Sequence, residues 1–173
     1  MSNLAIRQQL VEIARRDVGK VEVTRNRAPW IARYWPATNY PQGHLNREPY
    51  CAAAVCSWVM EWLQLPEVMA AFKMTPTGAE RWRCKSPAAF AWLDWAQKRK
   101  LEVLSDRPTE RLRVGDLMVF DISHIGIVRD DDSKGVYTIE ANTGNGSVRD
   151  GDGCFERVRQ RAQARAFIRL IEP

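Results

Sequence analysis

The stretch Tyr50-Cys51-Ala52-Ala53-Ala54-Val55-Cys56-Ser57-Trp58-Val59 is apolar on nearly every side, and the apolar character runs on to Leu65 ahead of Pro66. A helix on a protein surface carries one apolar stripe and one polar face, whereas a helix apolar all round belongs in an interior. The sequence therefore predicts a buried helix over about Cys51 to Leu65, ended by Pro66. Upstream, Leu4, Leu10, Val11, Ile13 and Ala14 recur at helical spacing, with Ser2 or Asn3 as cap and Gly19 past the end. Between these helices, residues 21–49 mix Pro, Asn and Gly with Trp30, Tyr34 and Trp35, which predicts irregular chain with a short helical piece at Trp30 to Tyr34.

Downstream, a third helix is expected with Ser86 as cap, Pro87 at its first position and the cations Lys98, Arg99 and Lys100 at its end. Beyond Val103 the period changes. Val114-Gly115-Asp116 reads as a turn, and Leu117–Phe120, Ile125–Val128, Val136–Ile139 and Ala166–Ile171 read as strands joined by short polar connections. Helices first and strands afterwards, without βαβ alternation, give an α+β domain in which the buried helix packs on an antiparallel sheet. With 173 residues and 45% apolar content, residues 1–173 read as one domain with no separate wall-binding module.

Composition narrows the function classes. The N-terminus lacks the apolar run of a secretory signal, and no stretch approaches the roughly 20 apolar residues that span a bilayer. Four cysteines, at 51, 56, 84 and 154, contain no CxxC pair, and Cys51 and Cys56 point to different helix faces, so neither a structural zinc site nor a disulfide framework is expected. Cys56, Cys84 and Cys154 read as ordinary core thiols. The net charge of +5 suits an anionic partner. Much of it comes from Arg157, Arg159, Arg161, Arg165 and Arg169, which read as a solvated edge unaccompanied by any nucleic-acid motif.

The catalytic candidates follow from position. Cys51 opens the buried helix, where the positive end of the helix dipole and free N–H groups favour a thiolate, the form that acts as nucleophile. His124, at the head of a strand, is the candidate base. The strand from Val136 runs into Glu140-Ala141-Asn142, so Glu140 or Asn142 would hold the second imidazole nitrogen. His44, the other histidine, lies in a loop and is read with Trp30, Trp35 and Tyr50 as a substrate contact.

These residues resemble the cysteine, histidine-dependent amidohydrolase/peptidase (CHAP) family and its NlpC/P60 relatives on a papain-like fold. The resemblance lies in four elements in order over roughly residues 48–145: Tyr50-Cys51 at the start of a central helix, Gly115-Asp116 leading into a strand, His124-Ile125-Gly126-Ile127-Val128, and Glu140-Ala141-Asn142. Tyrosine stands at position 50 where tryptophan is commoner. The resemblance implies hydrolysis of an amide bond in peptidoglycan by a Cys51-His124-Glu140/Asn142 thiol mechanism, with no cofactor. Some members bind calcium near the nucleophile. Here only Glu22 and Glu48 precede Cys51 in its loop, while Asp130-Asp131-Asp132 and Asp150-Gly151-Asp152-Gly153 read as polar turns, so no metal is expected.

A lone catalytic domain without a leader fits a phage lysin, or an antibacterial effector of the type VI kind. It would be made in the cytoplasm and reach the wall through a secretion machine, a holin or a phage particle. An effector role would bring a cognate immunity protein as partner. Two other classes stand beside this reading: a papain-like protease or deamidase acting on proteins, and a non-catalytic basic nucleic-acid-binding domain, the last disfavoured by the missing motif.

Overall fold

The computed structural model describes residues 2–106, 111–144 and 151–171. Helix α1, Asn3–Arg15, starts where Ser2 accepts a hydrogen bond from the Ala5 amide through its hydroxyl, satisfying one of the free first-turn N–H groups. It buries Ile6, Leu10, Val11, Ile13 and Ala14, while Leu4 in the first turn is exposed. The irregular segment that follows holds a single-turn helix α2, Pro29–Ala32, and 3₁₀ turns at Trp35–Ala37 and Pro41–His44.

Helix α3, Cys51–Leu63, is the buried helix, with Trp58, Val59, Trp62 and Leu63 all essentially inaccessible. Asp17, just past α1, ties it in place. Its buried carboxylate accepts from Trp58 Nε1 at 2.8 Å and Tyr34 Oη at 2.7 Å, and also from Arg33 and Lys20. Two short helices follow, α4 (Pro66–Ala71) and α5 (Pro76–Trp82). Sequence reasoning missed both by treating Pro66 only as a stop, although proline is pre-shaped for the first helical position, and Thr75 caps α5 by accepting from the Gly78 amide. Helix α6 is Ala91–Lys98, four residues shorter at its start than expected. The Ser86 hydroxyl does accept from the Ala88 amide, but it closes a turn there, and Pro87, Ala88 and Ala89 become a wall of the groove described below.

Among the described residues six strands form one antiparallel sheet: β1 (Glu102–Ser105), β2 (Leu117–Phe120), β3 (Ile125–Asp132), β4 (Gly135–Thr143), β5 (Gly153–Arg159) and β6 (Ala164–Arg169), in the order β1-β6-β2-β3-β4-β5. The sequence reading found four of them. Alternation sorts the side chains: Leu117, Val119, Ile125, Ile127, Ile139 and Ala141 join the core with α3, which lies over β3 and β4. Met118, Phe120, Val128, Val136 and Phe167 form a second cluster with Leu112. Fully burying each such aliphatic side chain contributes about 1.5–3 kcal/mol, which fixes the register of β3 and β4.

Two charge readings need correction. Arg159 and Arg169 are interior: Arg169 spans Asp116, just before β2, and Glu102 of β1, and Arg159 pairs with Glu140. Strand alternation turned these two arginines inward toward carboxylates of distant segments, and only part of the run is solvated. Asp130-Asp131-Asp132, read as a polar turn, ends β3, and buried Asp131 accepts from the Leu112 amide and from Arg161. Asp150 lies outside the described residues. Among the described residues no helix is long and apolar enough to cross a membrane.

Candidate active site

Cys51 is the first residue of α3 and is 5% exposed, opening on a groove of about 250 Å³ bounded by Trp35, Tyr40, Glu48, Pro87 and Ser123. Along this helix end the Ala54 amide is the first to reach back, to the Tyr50 carbonyl, so the N–H groups of Cys51 to Ala53 precede the intrahelical ladder. Such N–H groups, with the helix dipole behind them, can stabilise negative charge on sulfur or on an adjacent oxygen. Gly43 supports the groove from behind: a Cβ there would run into the Trp35 ring.

His124 enters from the turn between β2 and β3. Ser123 adopts a left-handed φ of +58°, and the Phe120 amide donates to the His124 carbonyl at 2.9 Å, which fixes the backbone below the imidazole. The ring is 2% exposed and lies 5.1 Å from the Phe120 ring, centre to centre. Its Nε2 donates to Glu140 Oε2 at 2.9 Å, and Nδ1 has no hydrogen-bond partner among the described residues. The group acting on the imidazole from the groove side is Cys51. Burial alone would lower the His124 pKa, but the Cys51 sulfur and then Glu140 raise it to about 9. That direction describes an imidazole held in its protonated form.

Glu140 is fully buried and has every oxygen engaged. Thr138 Oγ1 donates to it at 2.5 Å, and Arg159 donates through Nε at 2.8 Å and Nη2 at 2.6 Å, a two-pronged pairing that suits a carboxylate. Burial would raise the Glu140 pKa, yet the hydrogen bonds from Arg159 and His124 hold it down at about 2. Gly126 makes the approach possible: a Cβ there would stand 2.7 Å from Glu140 Cγ. The Ile-Gly-Ile of β3 thus serves two purposes, isoleucines toward α3 and an open face toward Glu140.

Comparisons with protein-family models, with curated proteins and with solved structures find no match.

The structure brings Cys51, His124 and Glu140 together, sets Trp35 on the same groove, and places the other candidates elsewhere. Asn142 sits at a bulge between β4 and β5 with φ +56°, which breaks the alternation that would align it with Glu140. Its buried side-chain amide has no hydrogen-bond partner among the described residues, so Glu140 and not Asn142 orients His124. Tyr50 is inaccessible, packed against Trp30 and Tyr34, with burial and then Glu22 raising its hydroxyl pKa. Trp30 donates its Nε1 to the Val21 carbonyl. Neither aromatic lines the groove, whereas Trp35 does. His44 lines a different cavity.

Sequence reasoning missed Arg159, Tyr40 and Glu48. Nothing local signals them, because Arg159 reaches Glu140 only through the pairing of β4 with β5. The remaining cysteines are buried and outside disulfides, and burial pushes their pKa values up, that of Cys84 to about 11. Such thiols stay protonated and inert. Among the described residues no cluster of His, Cys, Asp and Glu is arranged to hold a metal.

Proposed function

We propose that this chain is a thiol amidohydrolase on a papain-like fold, cutting an amide bond of peptidoglycan with Cys51 as nucleophile, His124 as general base and acid, and Glu140 as the group that orients the imidazole. The observation that carries the reading is His124 held between the Cys51 sulfur and the ionised Glu140 carboxylate at the start of a buried helix, beside an open groove. The order of the four sequence elements and the +5 charge, suited to an anionic wall, favour peptidoglycan over other amides.

The Cys51 thiolate adds to the scissile carbonyl carbon, and the resulting oxyanion meets the Cys51 N–H and neighbouring first-turn donors. His124, protonated at Nδ1, gives that proton to the departing amine as the C–N bond breaks and a thioester remains. Water then adds to the thioester as His124 takes its proton, and the thiolate leaves with the carboxylic acid as product. Throughout, Glu140 holds Nε2–H and keeps the ring aimed at sulfur. Acting on the wall, the protein would work outside the cytoplasm after delivery by a secretion machine, a holin or a phage particle, and as an effector it would have a cognate immunity protein.

Purified protein and Cys51→Ala, incubated with peptidoglycan sacculi and analysed by mass spectrometry of the soluble products, test this directly. Products from the native protein alone support the reading and name the bond. Products from both proteins would sink the role of Cys51. An uncut wall beside cleavage or deamidation of a protein substrate would shift the substrate class while retaining the thiol chemistry.

A further inference from the structure

A second cavity lies apart from the groove at Cys51. A pocket of about 660 Å³ opens between α2, the turn at 23–28 and the loop at 44–47, within the size range of ligand sites. Ile31 and Ala28 form a buried floor, and Val23 and Leu45, 75% and 72% exposed, form apolar lips. Arg27 and Arg47 line it with His44, and no acidic residue does so among the described residues.

One wall holds a buried acceptor without a donor among the described residues. Asn26 is 3% exposed, its amide Nδ2 donates to the Arg47 carbonyl at 2.9 Å, and its main-chain N–H donates to Glu22 at 2.6 Å, yet its buried Oδ1 has no donor among the described residues. An unpartnered buried acceptor costs about 1–3 kcal/mol, and a native structure that carries one calls for an explanation. Asn26 and Arg47 are also both left-handed, at φ +55° and +54°, a conformation that is strained for side-chain-bearing residues and concentrates at functional positions. The bond between them pins the turn to the loop, so the pocket is formed before anything enters.

Three demands converge on one ligand chemistry. The arginines ask for a negative group, the Asn26 oxygen asks for an N–H donor, and the floor asks for small apolar groups. We infer that this pocket binds an acidic peptide segment, with its carboxylate on Arg27 and Arg47 and a backbone amide on Asn26. Residues 40–49 contribute to both cavities, Tyr40 and Glu48 to the Cys51 groove and His44, Leu45 and Arg47 to this pocket, and the Glu48 amide donates to the Gly43 carbonyl. Binding here does not require the reaction at Cys51, and it is tested where that reaction is absent.

The test is titration of ¹⁵N-labelled Cys51→Ala protein with acetyl-Ala-Glu-Ala and with its uncharged counterpart acetyl-Ala-Gln-Ala-amide, following the amide resonances of Asn26, Arg27, Leu45 and Arg47. The acidic peptide is expected to shift these resonances and to bind at least roughly tenfold more tightly than the neutral one, with that preference lost in Arg27→Gln/Arg47→Gln. Equal affinity for the two peptides overturns the inference on the unaltered surface, whether or not the arginine variant folds. So does the absence of shifts, or inorganic phosphate binding as tightly as the acidic peptide. None of these outcomes bears on cleavage of sacculi.

Discussion

Replacing Cys51 by alanine is expected to move the titration of a histidine 73 positions away in sequence. The rise of the His124 pKa from 6.5 to about 9 corresponds to roughly 3 kcal/mol in favour of imidazolium, achieved against burial by Cys51 first and Glu140 second. Alanine removes the first of these and leaves the burial in place. Glu140 alone must then oppose desolvation, and the His124 pKa is expected to fall by at least about one unit, or about 1.4 kcal/mol. The chain has two histidines, so ¹H–¹⁵N spectra of the imidazoles, assigned with a His44→Gln variant, follow His124 through the titration. The tautomer below the transition is informative too, because Nε2–H must stay on Glu140 while Nδ1 changes. An unmoved His124 titration in Cys51→Ala would show that the sulfur does not act on the imidazole, and the proposed thiolate–imidazolium pair would fail with it.

Three further outcomes are expected. Stability to urea should be greatest, as far as this pair contributes, between about pH 4.5 and 6.5: the raised His124 pKa gives stability present below 6.5 and lost as pH climbs through about 9, and the depressed Glu140 pKa gives stability present above 4.5 and lost as pH falls through about 2. A urea midpoint that keeps rising from pH 6.5 to 9 would contradict it. Gly126→Ala, whose Cβ would crowd Glu140 Cγ at 2.7 Å and the Ile139 carbonyl at 3.0 Å, should destabilise by about 1–3 kcal/mol and reduce turnover on sacculi, and native-like values for both would show that Glu140 needs no such opening. Arg159→Met strips Glu140 of its two-pronged partner inside the sheet and should cost about 3–5 kcal/mol in urea unfolding, with a change under 1 kcal/mol counting against a buried pair.

What the sequence by itself determined was whatever depends on neighbours along the chain. The all-round apolar stretch after Tyr50 made α3 an interior helix, Ser2 or Asn3 marked the start of α1, and short apolar runs between polar turns located β2, β3, β4 and β6, so an α+β domain with a helix on an antiparallel sheet was legible from period and punctuation alone. The places of Cys51 at a helix start and of His124 just before a strand were legible as well, because both are local features of the chain. Only the tertiary structure decided what depends on register and burial. It chose Glu140 over Asn142, since a bulge at 142 turned one aside while an absent Cβ at Gly126 admitted the other. It also carried Arg159 and Arg169 from an apparent solvated edge into the interior, and it walled a second pocket with Asn26 and Arg47. The reason is physical: hydrophobic period is written into short spans of chain, whereas an ion pair, an orphaned acceptor or a shifted pKa exists only once distant segments have met and water has been excluded.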